Sequence, residues 1–558
     1  MNEYTAISIG PIIATLSQVR KPRHLWSASY MFSHLMKIII EEGEKLGGKL
    51  ISPAKETNIE KNGIGLYPDR AFFVGEVDLK ELTNNVLAQF AKDIEIEKDK
   101  LNNYFNIMGI FIDDKEEAEA ILELNKRLDV LELSNRCEEN EEKGLTTGRD
   151  EILSLMSSGS KSLLYELAFD EGEFPVNTLA EIASIETKYT HPEAWENASE
   201  FEHLFSKTFS NAKKKSLIDE DLFYKLLRGR ISEKLKSYHK YFCVVQADGD
   251  NMGAVIRNLK NGVLNELSQE LIVFGKNASE EVRNFGGLPI YAGGDDLLFI
   301  APVVSSIKKD DGQYDRANIF DLIDKIDVLY KDVVKKANEL QKDGKAETTS
   351  MSYGVSINYY KYPLYEVLEN ARNLLFIDAK DTKNTIACEF RKHSGSSLKF
   401  SLNKNDGEDA AIKSAFEELT EIAVPENMVS ATAHKLRENS ALWQSTNGEE
   451  IRLNAFFKKI MGLGEKNEKE DIYLKKVKEL LKLLLVKKEK YLTDKYVFEL
   501  QQQITENKIE HFQLDAVKEK VKQDIDKIRK IENEKNNQYI YSMLRTAKFI
   551  NGEEIKDE

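Results

Sequence analysis

Two short apolar runs and an acidic turn make up the stretch Pro289-Ile290-Tyr291-Ala292-Gly293-Gly294-Asp295-Asp296-Leu297-Leu298-Phe299-Ile300-Ala301-Pro302. The runs 288–292 and 297–301 are long enough for buried strands and too short for helices. Glycine supplies the unusual backbone angles that hairpin turns require. The stretch therefore predicts a β-hairpin with two adjacent carboxylates at its tip.

The two carboxylates of this turn, Asp295 and Asp296, repel each other. At about 4 Å and an effective dielectric near 20, the repulsion costs roughly 4 kcal/mol. A divalent cation offsets that cost, and Mg²⁺ prefers hard oxygen ligands of this kind. The hairpin tip is therefore a candidate metal site, and the hairpin alone leaves an ordinary acidic turn open as the alternative.

A second acidic segment follows the apolar run 241–247, which is typical of a central strand buried on both faces. It reads Asp248-Gly249-Asp250-Asn251-Met252-Gly253 and leads into a helix predicted from about residue 254. Carboxylates at a strand end can hold a metal, while free amides at a helix N-terminus can hold phosphate oxygens. This segment is a weak signal by itself, because such triplets also form plain turns.

The elements around the two acidic segments follow the order β-α-(α)-β-β-α-β-α-β. Helices are predicted at 264–285 and 315–342 and after Pro363, and strands at 348–358 and 385–390. This order fits a ferredoxin-like core with the acidic hairpin in its middle. In that topology the first strand lies beside the hairpin, so we expect Asp248 to converge with Asp295 and Asp296 on one edge, around one or two Mg²⁺ ions.

The rest of the chain predicts an α+β protein with further domains. Strands alternate with helices over residues 1–135, which include a strand at 6–10 and the basic stretch Arg20-Lys21-Pro22-Arg23-His24. Residues 136–235 are mainly helical and highly charged, and long lysine-rich helices dominate residues 401–558. The predicted domains are 1–135, 136–235, 236–400 and 401–558.

Several basic segments are candidate contacts to an RNA backbone or to another subunit. They are Lys213-Lys214-Lys215, Arg228-Gly229-Arg230 and the lysine-rich helices predicted at 471–492 and 510–531. Solvated helix faces explain the same patterns. The net charge of −16 argues against a protein that coats nucleic acid on its own.

Composition and cysteine count restrict the class of protein. A hydrophobic content of 41% with 31% charged residues predicts a soluble globular chain. The three cysteines, Cys137, Cys243 and Cys388, are isolated, so we expect no four-cysteine zinc site and a cytoplasmic location. His34 and Lys37 interrupt the most apolar early segment, which is also too short to span a bilayer.

The chain resembles a known family in an ordered set of separated segments. They are Ile7-Ser8-Ile9-Gly10-Pro11, residues 20–30 (RKPRHLWSASY), 247–253, 291–296, 359–363 (YYKYP), Ala379-Lys380 and Lys392-His393-Ser394-Gly395. The family is the large Palm-domain subunit of type III CRISPR effector complexes, a cyclic oligoadenylate synthase. Residues 371–384 also resemble the tail of the diguanylate cyclase (GGDEF) domain. A free-standing diguanylate cyclase would bring neither a second α/β unit nor a long helical tail, so the CRISPR family is preferred.

The resemblance implies two ferredoxin-like Palm/cyclase-type domains, with a helical middle domain and a helical C-terminal domain. It also implies Mg²⁺-dependent (or Mn²⁺-dependent) nucleotidyl transfer from ATP, activated by target RNA. In this reading Asp248, Asp295 and Asp296 are catalytic residues and metal ligands. The implied nucleotide-binding residues are Gly249, Asp250, Asn251, Met252, Gly293, Gly294, Lys380 and Lys383, with the two lysines on the triphosphate.

Two differences from the family limit the activities and metal sites that we expect of this chain. Many members begin with an HD nuclease domain, whereas here the first Palm-like motif begins at residue 7 and no histidine is followed by aspartate. We therefore expect no nuclease activity from this chain. Many members also carry a zinc-binding cysteine cluster, which three isolated cysteines cannot build. The chain is most similar to the subtype III-B (Cmr) form, with crRNA, target RNA and other Cmr-like subunits as expected partners and no membrane.

Two other functions remain open on the sequence. The same Palm domain could transfer AMP from ATP to a non-nucleotide acceptor such as S-adenosylmethionine. The chain could also be a non-enzymatic scaffold of the crRNA complex, although a pure scaffold has no need for intact carboxylates. The sequence reveals neither the acceptor nor the ring size or linkage of a cyclic product.

Overall fold

The N-terminal part of the chain forms a four-stranded antiparallel sheet with helices. This computed structural model describes residues 3–16, 18–55, 63–113, 115–138, 152–156, 163–169, 178–199, 220–230, 235–308, 314–342, 344, 347–507 and 514–552. The strands are β1 (Glu3–Gly10), β2 (Lys49–Ser52), β3 (Arg70–Val74) and β4 (Asn106–Asp113). The helices are α1 (Ile12–Leu16), α2 (Pro22–Lys45), α3 (Leu79–Ile94), α4 (Lys98–Tyr104) and α5 (Glu117–Glu138). The strand order is β2-β3-β1-β4, which is that of a ferredoxin-like fold.

Helix α3 shows why these residues form these elements. Asp78 caps its N-terminus by accepting hydrogen bonds from the amides of Lys80 and Glu81, which satisfies two otherwise unpaired donors. Its buried face consists of Leu82, Val86, Leu87, Phe90 and Ile94. This spacing of three and four residues is the pattern of an amphipathic helix, and it predicts the observed bounds.

The middle region contributes short helices to the described part of the chain. They are α6 (Leu163–Ala168), α7 (Leu179–Ala183), α8 (Glu186–Thr190) and α9 (Glu220–Arg228). Arg228 and Arg230 are exposed at the end of α9. The basic segment 213–215 and most of the polar segment 137–150 lie outside the described residues, so the RNA contacts suggested for the former remain predictions.

The acidic segments lie in a second sheet with the same strand order as the first. Its elements are β5 (Tyr241–Asp250), α10 (Met252–Asn258), α11 (Leu264–Asn284), β6 (Leu288–Gly293), β7 (Asp296–Pro302), β8 (Val304–Lys308), β9 (Tyr314–Asn318), α12 (Ile319–Leu340), β10 (Ser350–Tyr359), α13 (Leu364–Asn373), a π-helix (Leu374–Ala379) and α14 (Lys380–Thr382). Four strands neighbour one another in the order β6-β7-β5-β10. All of their pairings are antiparallel. The predicted ferredoxin-like core and α+β class are thus confirmed.

Strands β8 and β9 are a feature that the sequence pattern did not predict. They pair as a separate antiparallel hairpin, and the following helix begins at Ile319 instead of about residue 315. Asn318 caps that helix through the amide of Phe320, while Asp321 accepts from the amide of Asn318. This capping box sets the start of the helix four residues later than the apolar pattern suggested.

The described residues form two compact units. One consists of Met1–Lys234 and His239–Lys383, and the other of Leu235–Tyr238 and Asn384–Glu558. The first unit therefore contains both ferredoxin-like domains. The four-domain division with boundaries at 135, 235 and 400 stays a prediction.

The second unit combines one strand pair with helices. The strands β11 (Thr385–Arg391) and β12 (Ser397–Asn403) pair antiparallel. The helices are α15 (Glu408–Glu421), α16 (Glu426–Glu438), α17 (Ser440–Gln444), α18 (Glu450–Phe456), a second π-helix (Phe457–Met461), α19 (Glu468–Asn507) and α20 (Leu514–Gly552). The core of α19 includes Leu474, Val477, Leu480, Leu481 and Leu485. Both long helices extend beyond the predicted bounds. No helix in the described ranges is both long enough and apolar enough to cross a membrane.

Candidate active site

Strand β5 carries two aspartates at its C-terminal end. The alternation of side chains along a strand places Asp248 and Asp250 on the same face of the sheet. Strand β10 pairs with this end, so that Ser352 lies opposite Asp248 and Ser350 lies opposite Asp250. The strand thus continues three residues beyond its predicted end at Ala247, because β10 extends the hydrogen-bonded ladder.

Asp250 is an almost fully buried carboxylate, with 1% of its surface exposed. Ser350 Oγ donates to its Oδ2 at 2.7 Å and Ser352 Oγ donates to the same atom at 2.9 Å. Lys380 Nζ lies 3.0 Å from its Oδ1. A buried charge is tolerated when it is paired and hydrogen-bonded, so these contacts anchor the end of β5. The nucleotide-binding role expected of Asp250 stays a prediction.

The ammonium group of Lys380 lies among the oxygen atoms of this strand end. It is 2.5 Å from Asp248 Oδ2, and it donates to the carbonyl oxygens of Asp248 at 2.9 Å and of Gly249 at 2.7 Å. The π-helix ends at Ala379, directly before this lysine. Lys380 therefore neutralises and orients the aspartates of β5, and its predicted contact with a triphosphate is not tested by this geometry.

The hairpin tip brings two more carboxylates to the same place. Gly293 pairs with Asp296 across the hairpin, which leaves Gly294 and Asp295 as the two turn residues. Gly294 has a φ of +67°, a conformation that glycine adopts without strain. Strand β7 pairs with β5 up to Leu297, and the charge of Asp248 is among the causes that raise the pKa of Asp296. The structure thus brings the predicted trio of aspartates together.

The electrostatics of the trio reflect crowded negative charge. Burial, followed by repulsion from Asp248, raises the pKa of Asp295 to about 7. Burial, followed by the charges of Asp248 and Asp295, raises the pKa of Asp296 well above its ordinary value. Both side chains nevertheless keep some solvent-accessible surface. Protein therefore surrounds both carboxyl groups on most sides, while water still reaches them.

Gly249 lies between the aspartates at a point of close approach. A Cβ atom at this position would lie 2.8 Å from Tyr330 Oη and 2.8 Å from Asp295 Cβ. Tyr330 Oη is in turn 2.9 Å from Thr349 Oγ1, which donates to the carbonyl oxygen of Asp250 at 2.7 Å. The absence of a side chain at Gly249 is therefore what allows the hairpin to meet the end of β5.

The chemistry of the trio fits a divalent cation. As the side chains stand in the described ranges, no group of three or more His, Cys, Asp or Glu residues already forms a metal-ligand cluster. Asp248, Asp295 and Asp296 nevertheless offer the hard carboxylate oxygens that Mg²⁺ and Mn²⁺ take, and a cation would relieve the repulsion that raises the pKa values of the hairpin aspartates. These three residues would hold the metal, and this assignment stays a prediction.

The remaining predicted site residues lie around the start of α10. Asn251 adopts a left-handed conformation with a φ of +60°, and Met252 is the first residue of the helix. Lys383 Nζ donates to Asn251 Oδ1 at 2.6 Å. The structure therefore places both predicted lysines at the end of β5, with Lys383 on its exposed side.

Several side chains of the site were missed from the sequence. Ser350 and Ser352 occupy alternate positions of a strand, and this spacing could have indicated a polar socket opposite Asp250. Tyr330 sits in the apolar stripe of α12 and gave no signal of its own. Asp69 of the first ferredoxin-like domain gave no signal either, although its charge contributes to the raised pKa of Asp296.

A segment of each ferredoxin-like domain matches a known protein family. Residues 241–387 match the family "Cas10/Cmr2, second palm domain", and residues 4–97 match "CRISPR-associated protein Cmr2, N-terminal". Two separate segments of the chain are thus similar to domains of Cmr2. The family resemblance predicted from the sequence is thereby confirmed, and the residues matched by the second palm domain include the aspartate trio.

A curated relative supports the same assignment over a limited length. The chain is 30% identical over 185 residues to the "CRISPR system Cmr subunit Cmr2" of Pyrococcus furiosus. The match covers 28% of this chain and 19% of that relative. The chain thus matches about a fifth of the relative's length, and only the matched part is shared.

Solved structures with a similar course of the chain were also found. One is the type III-B Cmr-beta complex bound to cognate target RNA, with 13% identity, 84% of this chain and 80% of that chain covered, and a TM-score of 0.49. Another is a Csm1-Csm4 cassette in complex with cA4, with 10% identity, 87% and 69% covered, and a TM-score of 0.45.

Proposed function

We propose that this chain is the nucleotidyltransferase subunit of a type III CRISPR antiviral effector complex, which target RNA activates to convert ATP into a cyclic oligoadenylate. The observation that carries the proposal is the meeting of Asp248, Asp295 and Asp296 in a domain that matches the second palm domain of Cas10/Cmr2. Such a cluster of carboxylates suits metal-assisted transfer to a phosphorus atom.

The proposed reaction joins nucleotides and releases pyrophosphate. The 3′-hydroxyl oxygen of one nucleotide forms a bond to the α-phosphorus of another, the bond to the β-phosphate breaks, and the hydroxyl proton passes to water. Mg²⁺ or Mn²⁺ held by the aspartate trio would lower the pKa of the hydroxyl and balance the charge that develops. Lys380 keeps Asp248 and Asp250 in place and, with Lys383, adds positive charge near the triphosphate.

The proposed partners are crRNA, target RNA and other subunits of a Cmr-like complex in the cytoplasm. Support comes from the Pyrococcus furiosus relative, which is described as a subunit of the CRISPR Cmr system. The net charge of −16 agrees with a chain that reaches RNA through basic partner subunits.

The test measures transfer of label from α-³²P-ATP by the assembled complex with target RNA and Mg²⁺. The double variant Asp295→Ala/Asp296→Ala should lose at least ~100-fold in product yield, as expected when metal ligands are removed. Asp332→Ala, an exposed aspartate on α12, is the matched control and should retain the wild-type yield. An unchanged product yield in the double variant would show that these two aspartates do not form the active site. Absence of any ATP-derived product from the wild-type complex would favour a non-enzymatic scaffold.

A second candidate function is the transfer of AMP to a non-nucleotide acceptor such as S-adenosylmethionine. The observation that favours it is the carboxylate of Asp69, whose negative charge contributes to the raised pKa of Asp296 in the hairpin and would suit a cationic acceptor. Mass spectrometry of the labelled product distinguishes the two candidates.

A further inference from the structure

The ammonium group of Lys380 uses all of its hydrogen-bonding capacity at the end of β5. Its Nζ atom lies 2.5 Å from Asp248 Oδ2 and 3.0 Å from Asp250 Oδ1. It also donates to the carbonyl oxygens of Asp248 at 2.9 Å and of Gly249 at 2.7 Å. An ammonium group has three donors and no acceptor. Four oxygen atoms therefore share its N–H groups, and none of these is left over for a ligand.

The four oxygen atoms around Nζ are of the kinds that a divalent cation also takes. Two belong to carboxylates and two are backbone carbonyl oxygens, and both kinds bind Mg²⁺ and Mn²⁺. Protein encloses the group, since 18% of the Lys380 side chain, 22% of that of Asp248 and none of that of Asp250 is exposed. Lys380 thus supplies positive charge at the place where the proposed reaction needs a metal ion.

The lysine and a metal ion compete for the same oxygen atom of Asp248. Asp248 is one of the three proposed metal ligands, and its Oδ2 already accepts from an ammonium group at 2.5 Å. Two cations on one oxygen repel each other, and the repulsion is strong where protein replaces most of the water. Metal binding at Asp248 is therefore weakened for as long as Nζ stays in this position.

A triphosphate is the group that can draw the ammonium away. Lysine binds phosphate oxygens as a point charge, and Lys380 must exchange present contacts for such a bond because its donors are all in use. Its charge lies at the end of a flexible four-carbon stem. The ammonium group can thus change partners through side-chain rotation, without movement of α14.

The buried carboxylate of Asp250 has donors that remain when the ammonium leaves. Ser352 Oγ donates to Oδ1, the atom that faces Lys380, at 3.0 Å, and to Oδ2 at 2.9 Å. Ser350 Oγ donates to Oδ2 at 2.7 Å. Each oxygen atom of Asp250 therefore keeps a hydroxyl donor, which lowers the cost of moving the lysine.

We propose that Lys380 covers the metal-binding oxygen atoms of Asp248 until the triphosphate of ATP takes its ammonium group, so that ATP and the divalent cation bind cooperatively. This inference rests on the proposed nucleotidyl transfer and concerns the regulation of the same site. Its consequence is that a divalent cation binds weakly to the aspartate trio without nucleotide. By linkage, the cation and ATP then strengthen each other's binding by the same factor.

The first experiment titrates Mn²⁺ into the purified full-length chain without nucleotide and follows free Mn²⁺ by electron paramagnetic resonance. Lys380→Met should bind Mn²⁺ at least ~10-fold more tightly than the wild type, a typical size for a coupling between two ligands. Lys380→Gln, which keeps donors for the carbonyl oxygens without the charge, should behave in the same way. Circular dichroism confirms that both variants are folded. Added to Lys380→Met, the substitutions Asp295→Ala and Asp296→Ala should abolish the tight binding.

Two further variants separate direct competition from a general effect of charge. Lys383→Met removes an exposed charge near the same strand end, where Lys383 contacts Asn251. It should change the Kd for Mn²⁺ by no more than about twofold, because solvent screens an exposed charge. Lys331→Met, an exposed lysine on α12, is the matched control and should bind Mn²⁺ as the wild type does.

The second experiment measures the cooperativity itself. Calorimetry follows the binding of α,β-methylene-ATP, which cannot release pyrophosphate, to the full-length chain with and without saturating Mn²⁺. Mn²⁺ should tighten this binding in the wild type at least ~10-fold more than in Lys380→Met. Because the complex of Mn²⁺ with the analogue is the same in both titrations, the difference between the two proteins reports on Lys380.

The outcomes separate this inference from the proposed function. If Lys380→Met and Lys380→Gln bind Mn²⁺ no more tightly than the wild type, while the wild-type complex still transfers label from α-³²P-ATP, the inference is wrong and the nucleotidyl transfer stands. An equal gain in Lys383→Met would also contradict direct competition. If Asp295→Ala and Asp296→Ala leave the tight Mn²⁺ binding of Lys380→Met unchanged, the aspartate trio is not the metal site, and the proposed site fails together with the inference.

Discussion

At the scale of single residues, the candidate site depends on the absence of a side chain at one glycine. Gly249 has no Cβ, and the space that a Cβ would fill is taken by Tyr330 Oη and the side chain of Asp295. The tip of the hairpin, which carries Asp295, can therefore approach the end of β5 closely.

Replacement of Gly249 by alanine should separate the hairpin from β5. We expect Gly249→Ala to lose at least ~100-fold in nucleotidyl transfer, since a displacement of about 1 Å costs that much in a positioned site. Gly253→Ala is the matched control, because a Cβ there meets nothing within 4 Å and alanine favours the helix. Equal label transfer by the two variants would contradict the assigned geometry.

Lys380 and Lys383 provide a second contrast between neighbouring residues. Lys380 contacts Asp248 and the buried Asp250, whereas Lys383 is exposed and donates to Asn251 Oδ1. Removal of one partner from a buried ion pair costs about 3–5 kcal/mol. Lys380→Met should therefore lower kcat and the melting temperature as well as raise KM for ATP, and Lys383→Met should leave the melting temperature within about 1 °C of the wild type. Similar melting temperatures for both variants would show that Lys380 does not hold the strand end.

At the scale of elements, sequence patterns predicted the helices and strands that have a repeated apolar spacing. They missed the short strands. Helix α3 and the hairpin strands β6 and β7 follow their apolar patterns closely. Strand β2, with four residues, is too short for a pattern to identify. The extension of β5 to Asp250 depends on its partner β10, which a local pattern does not contain.

The site residues also divide into those that the sequence predicted and those that it missed. The aspartate trio was predictable because unusual residue types stand at strand ends whose topology could be inferred. Ser350, Ser352 and Tyr330 were not, because their roles come from contacts across strands and helices. Asp69 reaches the hairpin through the packing of two domains, and no single-segment pattern carries that information.

The π-helix before Lys380 packs against β10 at a glycine. A Cβ at Gly354 would lie 2.6 Å from the amide nitrogen of Leu375 and 3.1 Å from its Cβ. We expect Gly354→Ala to push the π-helix away, to lower the free energy of unfolding by about 1–3 kcal/mol, and to reduce label transfer because Lys380 moves with the segment. Urea unfolding and α-³²P-ATP transfer check this, with Gly253→Ala again as the control. A variant that loses stability but keeps full transfer would show that Lys380 is positioned independently of the π-helix.

At the scale of the whole molecule, the acidic balance of the chain limits how it meets RNA. With a net charge of −16, the isolated chain should bind single-stranded RNA with a Kd weaker than about 10 µM at physiological salt. Fluorescence anisotropy on the isolated chain and on the assembled complex tests this expectation. The complex should bind at least ~100-fold more tightly. Submicromolar binding by the isolated chain, with a steep salt dependence, would show that a local basic patch on this chain suffices.

The presence of two ferredoxin-like domains in one chain affects how the contact between them depends on protein concentration. The amide of Ala54 donates to Ser268 Oγ at 2.7 Å and that of Ala292 to the carbonyl oxygen of Gly65, so the two domains touch directly and are also covalently linked. A site assembled from two separate chains falls apart on dilution, whereas linked halves meet at an effective concentration that does not depend on the amount of protein. Each molecule therefore carries both domains in contact at any abundance, without assembly from separate chains.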